Sequence, residues 1–219
     1  MQEQEAKLIG NWPNTYTFTK SMAERALKKN RGNLRVAVVR PSIIVSCYDE
    51  PCRGWSDSLA AAGGLTWAMQ TGLVHYIKTY NDCPFDLIPC DFVSNMIIAN
   101  TVFTGRSEPT TLNICHSATT SKNQLTIRKF TEYVMKAARE REYLKQVAGP
   151  YFRATPNEKM LKAKLYATET LPVKIMNTVS KITRNKELHM KAKLSEKVSK
   201  KMYNMQCMFH FFINHHWIY

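Results

Sequence analysis

The chain has few glycines, and they do not form the phosphate-binding pattern of nucleotide-binding proteins. Its eight glycines are scattered over 219 residues, and no G-x-G-x-x-G stretch joins a predicted strand to a helix. Such a turn holds the pyrophosphate of a dinucleotide at a helix N-terminus. The sequence therefore excludes a complete phosphate cradle within these residues, and we expect the chain by itself to bind a dinucleotide very weakly.

Long apolar runs and paired cysteines are also missing. No stretch approaches the ~18 apolar residues of a membrane-spanning helix, the first ten residues are too polar for a signal peptide, and the six cysteines form no C-x-x-C pair. We therefore expect reduced thiols in a cytosol-facing protein. His210, His215 and His216 lie near Cys207 among aromatic residues, without the paired spacing of zinc ligands. No metal site is predicted.

Acidic residues are scarce in the last third of the chain. Through Gly149 there are 18 Lys and Arg against 13 Asp and Glu, whereas from Pro150 onward there are 13 against 4, and the net charge is +14. The lysines of the basic part are interleaved with Leu, Met and Val, a pattern typical of an amphipathic helix. A solvated face, an anionic membrane and an acidic acyl-carrier substrate all fit this pattern. No nucleic-acid-binding motif accompanies the charge, so no nucleic-acid partner is expected.

The order of periodic segments indicates an α/β fold. Residues 14–29 lack Gly and Pro and predict a helix that "NRGN" ends at 30–33. The run "LRVAVVRPSIIV" at 34–45 predicts a strand buried on both faces, as in a parallel sheet. Further on, the sequence predicts a helix over 56–72, a short strand that ends at Asp86 or Ile88, a helix with Asp91 as N-cap, and a strand within 110–117.

The remaining segments are predicted to be helical. An amphipathic helix is expected over 125–142, with Ile127, Phe130, Val134 and either Ala137 or Ala138 facing inward. Beyond it come Lys-rich helices with Pro156 and Pro172 as breaks. The composition changes near Pro150, so we divide the chain into residues 1–149 and residues 150–219.

Tyr16 and Lys20 form the pattern Y-x-x-x-K near the start of the first predicted helix. Residues four apart on a helix share a face, about 5–6 Å apart at Cβ. A free phenol has a pKa of ~10, and a neighbouring ammonium group lowers it by favouring the phenolate. Such a tyrosine can give a proton to an oxyanion while hydride arrives at carbon, and the lysine can reach a ribose hydroxyl. The pair alone is a weak signal, because a surface Tyr–Lys contact gives the same spacing.

The surrounding segments strengthen the interpretation. The order Tyr16, Lys20, apolar strand, "RPSII" resembles the extended short-chain dehydrogenase/reductase superfamily. The stretches "NTYTFTKSMAERAL", "LRVAVVRPSIIVSCYDEPCRGWSDS", "GLTWAMQTGLVH" and "DLIPCDFVSNMIIA" are together similar to the fatty acyl-CoA reductase family over about residues 11–145. The resemblance implies the C-terminal part of a Rossmann-like doubly wound sheet, followed by a mainly helical region at 150–219. The glycine-rich N-terminal half of the family's domain, with its catalytic Ser or Thr, has no counterpart here.

The resemblance also implies the chemistry. Members reduce a fatty acyl-CoA to a primary alcohol with NADPH. Tyr16 would be the proton donor, Lys20 would tune it and hold the nicotinamide ribose, and Pro41, Ser42, Ile43 and Ile44 would line the nicotinamide. Asp86, Pro89 and Asp91 are expected to hold the architecture.

Partners and alternatives follow from the same resemblance. A long-chain acyl-CoA is the expected substrate, and the basic C-terminal region is a candidate for peripheral contact with an endoplasmic reticulum, peroxisome or lipid droplet membrane. Three alternatives remain open at this point. They are a sterol dehydrogenase, a sugar-nucleotide epimerase, and a non-catalytic fragment that binds a membrane or a partner. Without its first strands, the sheet is expected to expose an apolar edge and face.

Overall fold

Helices alternate with short strands over the residues that the computed structural model describes, which are 9–58, 61–119, 121–140 and 149–215. This alternation confirms the predicted α/β class. The described helices are α1 Thr15–Asn30, α2 Ala61–Gln70, α3 Cys90–Gly105, α4 Ile127–Glu140, α5 Glu158–Leu165, α6 Leu171–Ile182 and α7 Lys186–Ile213, with a π-helical turn at Tyr166–Thr170. The described strands are β1 Val36–Pro41, β2 Ile43–Val45, β3 Tyr76–Ile77, β4 Leu87–Pro89, β5 Leu112–Ser117 and β6 Arg153–Ala154.

The described strands form three pairs. β1 pairs with β5, β2 with β4 and β3 with β6. The β2–β4 and β3–β6 pairs are parallel, as the predicted Rossmann-like arrangement requires. From Glu158 onward the described chain is helical apart from short turns, which agrees with the predicted helical C-terminal region.

The single strand predicted over 34–45 is wrong, because the chain divides into β1 and β2 at Ser42. Pro41 has no N–H to donate to a ladder, and the hydroxyl of Ser42 donates to Oδ1 of Asp86 at 2.8 Å. The two halves of the run consequently take different partners, β5 and β4.

Two compact units divide the chain. The first comprises Met1–Arg40 and Ser94–Ser117, and the second comprises Pro41–Val93 and Ala118–Tyr219. The proposed boundary near residue 150 stays a prediction. The predicted absence of a metal site at the C-terminus falls partly outside the description, because the side chains of Cys207 and His210, and all of His216, are not described.

The second unit contains the hydrophobic core. α4 buries the inward residues expected from its spacing, namely Ile127, Phe130, Val134 and Ala138, and also Met135. The core is completed by apolar side chains from α2, β3, α7 and the connecting segments. They are Ala62, Leu65, Ala68, Met69, Val74, Ile77, Cys83, Phe85, Phe152 and Ile213.

Over its described residues, the first unit has no comparable core. None of its described apolar side chains is fully buried, and α1 buries no residue at all. Large apolar side chains of this unit are instead more than 40% exposed, including Met22, Leu34, Ile97, Ile98, Val102, Phe103 and Ile114. Most of these side chains lie on α1 and α3, and of those named Ile114 lies on a strand, β5; the expected exposure of an apolar edge and face of the sheet stays a prediction.

Local signals set the bounds of α1. The side chain of Asn14 accepts a hydrogen bond from the Thr17 N–H at 2.9 Å and so caps the N-terminus. At the other end, Arg31 is the C-cap and Gly32 adopts a positive φ of 54°, a conformation that glycine adopts without strain. The predicted helix and its stop are confirmed.

Asp91 ties a loop to α3 instead of acting as the predicted N-cap. α3 begins one residue earlier, at Cys90. The Asp91 carboxylate accepts backbone N–H groups from Tyr48 at 3.0 Å, Asp49 at 3.0 Å and Glu50 at 3.3 Å. These bonds, with the Tyr48 N–H contributing most, lower the pKa of Asp91 to about 2. The broader expectation of an architectural role for this residue agrees with these contacts.

Asp86 has a similar structural role. Its carboxylate accepts hydrogen bonds from the Ser42 hydroxyl and from both the N–H and the hydroxyl of Thr119. The residue is 8% exposed, and these bonds compensate its burial. Asp86 therefore joins the start of β2 to the segment that follows β5.

Pro172 does not break the C-terminal helix as predicted. It lies in the first turn of α6, directly after the π-helical turn Tyr166–Thr170. Proline is tolerated in the first turn of a helix, where its missing N–H is not needed. In the π-helical turn before it, the carbonyl groups accept from N–H groups five residues later instead of four. The helical path consequently continues from α5 into α6.

Glu169 on the π-helical turn gives a prediction about pH. Its Oε1 is buried without a hydrogen-bond partner in the described structure, and burial raises the pKa of this carboxyl from 4.5 to about 7. The folded state therefore binds a proton that the unfolded state releases, so this group's contribution to the free energy of unfolding is lost as pH rises from ~4.5 through ~7. After discounting for partial exposure, we expect a loss of about 2 kcal/mol.

Urea unfolding of the chain and of Glu169→Gln at about pH 5 and about pH 8 measures this contribution. The Gln variant should lose less stability between the two pH values. Glu132→Gln, which changes an exposed carboxylate on α4, should behave as the unchanged protein does. Equal pH dependence of all three proteins would contradict the assignment.

Candidate functional site

Tyr16 and Lys20 project from the same face of α1. The Lys20 Nζ lies 5.6 Å from the centroid of the Tyr16 ring, within the range of a cation–π contact. Both side chains are exposed, Tyr16 by 59%. The structure thus brings together the two residues predicted as catalytic, with a positive charge beside the phenol and with access for a ligand.

Glu24 extends this face of the helix by one more turn. Tyr16, Lys20 and Glu24 follow each other at intervals of four residues, which places them in one stripe. The Arg40 guanidinium holds both oxygens of Glu24, with its Nε 2.9 Å from Oε1 and its NH2 group bonded to Oε2. Arg40 is the penultimate residue of β1. A two-pronged ion pair therefore fixes the Tyr16 stripe to the carboxyl end of a strand.

The ion pair favours the charged forms of both the Glu24 carboxylate and the Arg40 guanidinium. The hydrogen bonds from Arg40 lower the pKa of Glu24, and His116 on β5 adds a smaller lowering. The same bonds from Glu24 raise the pKa of Arg40. Both side chains remain partly exposed, at 37% for Glu24 and 42% for Arg40, so the ion pair contributes mainly orientation.

Glu24 and Arg40 were not predicted from the sequence to be part of this site. Two signals were present: Glu24 continues the four-residue spacing of Tyr16 and Lys20, and Arg40 directly precedes the proline of "RPSII". Neither signal alone specifies a partner. The pairing depends on how α1 lies against β1 within the first unit, which local periodicity does not give.

The four residues predicted to line a nicotinamide differ in their surroundings. Pro41 and Ile44 have exposed side chains. The hydroxyl of Ser42 donates a hydrogen bond to Oδ1 of Asp86 at 2.8 Å. Ile43 packs against the hydrophobic core. All four residues belong to the second unit. Of the four, Pro41 and Ile44 therefore have side chains that a ligand can reach.

The donor set on α1 suits a nicotinamide nucleotide and a carbonyl substrate. A phenol O–H can donate to a developing oxyanion, and an ammonium group with three N–H donors can bind ribose hydroxyls. Both groups are exposed on a helix whose orientation is fixed by the Glu24–Arg40 pair. The arrangement can therefore supply a proton and positive charge at one position.

Comparison with known proteins gives a consistent picture. A family model described as "Male sterility protein", an NAD-binding domain, matches residues 1–97. Fatty acyl-CoA reductase 1 of Rattus norvegicus is 29% identical over 185 residues, which cover 84% of this chain and 36% of the rat protein. Fatty acyl-CoA reductase 2 of Mus musculus is 40% identical over 123 residues, covering 56% of this chain and 24% of the mouse protein.

Among solved structures, a UDP-glucose 4-epimerase from Thermotoga maritima matches at 13% identity with a TM-score of 0.38, covering 64% of this chain and 39% of the epimerase. The chain spans about a third or less of the length of the curated relatives described above. Both of those relatives are named fatty acyl-CoA reductases, and the residues that the family model matches, 1–97, include Tyr16 and Lys20. The chain is thus similar to fatty acyl-CoA reductases, and its first 97 residues match an NAD-binding family model.

Proposed function

We propose that these residues form part of an alcohol-forming fatty acyl-CoA reductase that uses NADPH. The observation that carries the proposal is the Lys20 ammonium beside the Tyr16 ring, on the helix face that the Glu24–Arg40 pair fixes to β1. The names of the relatives support the substrate class. In the complete reaction, one acyl-CoA and two NADPH with two protons give one primary alcohol, free coenzyme A and two NADP⁺.

The residues on α1 have separate roles in this proposal. Reduced nicotinamide supplies hydride to the carbonyl carbon. The Tyr16 hydroxyl donates its proton to the oxygen that gains charge, and the Lys20 ammonium stabilises the phenolate left on Tyr16. Lys20 also binds the ribose of the cofactor, because its three donors suit vicinal hydroxyls.

The activity is tested on the longest expressed form of the protein that contains these 219 residues. Purified protein is supplied with NADPH or NADH and with a long-chain acyl-CoA, a hydroxysteroid or a UDP-sugar in separate reactions. Nucleotide oxidation is followed by absorbance, and the products are identified by mass spectrometry. We expect a fatty alcohol, from acyl-CoA and NADPH only. Turnover of the steroid or of the sugar nucleotide, with acyl-CoA unchanged, would refute the proposal.

A second proposal concerns the basic helices, which we propose make peripheral contact with an anionic membrane. α6 buries Ser180 on one side, while Leu171, Ile175, Val179 and Ile182 are exposed by 41%, 56%, 41% and 77% on the other. Spacings of four, four and three residues place these four side chains in one stripe. An aliphatic stripe that faces solvent is unusual on a surface helix.

Charge and geometry both favour lipid as the partner of this stripe. Between Leu171 and Lys201 there are nine Lys and Arg against two Glu. α7 packs against α6, with the Ser180 hydroxyl 3.4 Å from the His189 ring, and it exposes Met190 and Leu194 by more than 60%. Aliphatic side chains flanked by lysines insert at the interface of anionic bilayers. No helix among the described residues is both long enough and apolar enough to cross a membrane.

Flotation with vesicles tests this contact. We expect binding to phosphatidylcholine vesicles that contain phosphatidylserine, weaker binding without it, and a decrease at high salt. The double variant Ile175→Asp and Ile182→Asp should bind about 10- to 100-fold more weakly, because two aliphatic side chains that would insert into the bilayer are lost. Ile98→Asp alters an isoleucine that is 63% exposed on α3 and should leave binding unchanged. Equal binding by all three proteins would contradict the proposal.

A further inference from the structure

Two cysteines meet at the carboxyl ends of β2 and β4. The Sγ atoms of Cys47 and Cys90 are 3.1 Å apart. The parallel register pairs Val45 with Pro89, the last residues of the two strands, so Cys47 and Cys90 lie just beyond a matched pair of strand ends. Strand pairing, which is fixed by backbone hydrogen bonds, therefore sets the distance between the two thiols.

The backbone around both cysteines is held on several sides. The Cys47 N–H donates to the Trp55 carbonyl at 3.0 Å, and the Cys47 carbonyl accepts from Gly54 at 2.9 Å. The carboxylate of Asp91, which directly follows Cys90, binds the N–H groups of the residues directly after Cys47. The two thiols are thus positioned by the same loop-to-helix connection.

The environments of the two sulfur atoms differ. Cys47 is 5% exposed, and burial, followed by the hydrogen bond with Cys90, raises the pKa of its thiol to about 11. Cys90 is partly exposed. An oxidant therefore reaches Cys90 more readily, while Cys47 is a protonated thiol in contact with it. A disulfide has an S–S distance of about 2.05 Å, so the two sulfur atoms need to approach by only about 1 Å.

We propose that Cys47 and Cys90 are a redox-active dithiol that hydrogen peroxide converts to a disulfide. The Cys90 sulfur attacks one peroxide oxygen, the O–O bond breaks, and Cys90 becomes a sulfenic acid while the other oxygen leaves as water. The Cys47 sulfur then attacks the Cys90 sulfur, and the hydroxyl leaves as a second water with the Cys47 proton. The two thiols lose two electrons in total, and one peroxide gives two waters. A small dithiol reverses the reaction.

The consequence is a covalent bond across the carboxyl ends of the β2–β4 pair. It closes a loop from Cys47 to Cys90, which removes conformational freedom from the unfolded chain. The oxidised protein should therefore unfold at a temperature about 5 °C or more above the reduced protein. This inference does not depend on the reductase proposal, because bond formation and unfolding are measured without substrate.

The cross-link is identified by mass spectrometry after oxidation of dilute protein, so that bonds between molecules are disfavoured. The remaining thiols are alkylated before digestion. Trypsin alone leaves Cys47 with Cys52 and Cys83 with Cys90, so a second protease that cleaves after Asp and Glu is needed, because it cuts at Asp49 and Asp86. We expect one peptide pair joined through Cys47 and Cys90, with two hydrogen atoms lost, and its disappearance after treatment with dithiothreitol.

Variants separate this bond from its alternatives. Cys90→Ser should abolish both the linked peptide pair and the rise in unfolding temperature. Cys52→Ser, at the exposed cysteine of the same loop, should preserve both. A bond between Cys47 and Cys52, or separate oxidation of Cys90 with Cys47 still alkylated, would overturn the proposal.

Discussion

Replacement of Tyr16 by phenylalanine is expected to lower kcat for acyl-CoA reduction about 10²- to 10⁴-fold. The substitution removes one oxygen atom and keeps the ring beside Lys20, so the cation–π contact at 5.6 Å can persist. Only the proton donor is lost. Since the oxyanion forms during hydride transfer, the effect should fall on kcat, with a small change in KM for the acyl-CoA.

The control for this variant is Tyr133→Phe. Tyr133 is also an exposed tyrosine on a helix, at 65% against 59% for Tyr16, and it lies on α4 in the second unit. We expect unchanged kcat for this variant. Both enzymes are assayed in the longest expressed form of the protein by acyl-CoA-dependent NADPH oxidation. Undiminished activity of Tyr16→Phe would remove the proposed role of the phenol.

Replacement of Phe85 by alanine is expected to lower the free energy of unfolding by about 3–5 kcal/mol. Phe85 is 2% exposed, and its ring lies 4.9 Å from that of Phe130 at 66°, a favourable edge-to-face geometry. Its backbone N–H also donates to the Leu125 carbonyl at 2.8 Å. The side chain therefore joins the segment before β4 to α4, and its removal leaves a cavity between them.

Urea unfolding followed by tryptophan fluorescence measures the change. A loss of this size is a large part of the stability of an ordinary domain, so Phe85→Ala can be partly unfolded even without urea. Phe85→Leu, with an expected loss of about 1 kcal/mol, is a second variant that stays folded. The control is Phe103→Ala, which changes a phenylalanine that is 66% exposed on α3 and should alter stability by less than about 0.5 kcal/mol. Equal losses for Phe85→Ala and Phe103→Ala would contradict the placement of the core.

Local features of the fold could be predicted from the sequence wherever one residue type decides the outcome. Asn14 and Gly32 define the ends of α1, and the apolar spacing of α4 identifies Ile127, Phe130 and Val134 as core residues. These features depend on contacts within a few residues. Periodicity and capping preferences are sufficient for them.

Features that depend on distant partners could not be predicted in the same way. The division of the β-branched run at Ser42 depends on Asp86, which is 44 positions away. The Glu24–Arg40 pair depends on how α1 lies against β1. Asp91 has the residue type of an N-cap, but three N–H groups of a distant loop bind its carboxylate. In each case a polar side chain could form more than one hydrogen bond or ion pair, and the tertiary structure determines which one forms.

The described residues of the first unit lack a buried apolar core, and this affects how much of the protein a cell retains. Chaperones that hold nascent chains recognise uncovered aliphatic and aromatic groups, and proteases follow them. The exposed side chains of Ile98, Val102 and Phe103 form a surface that offers such groups. We therefore expect steady-state abundance to depend on how quickly that surface is covered after synthesis, whereas the melting point of the second unit should have much less influence.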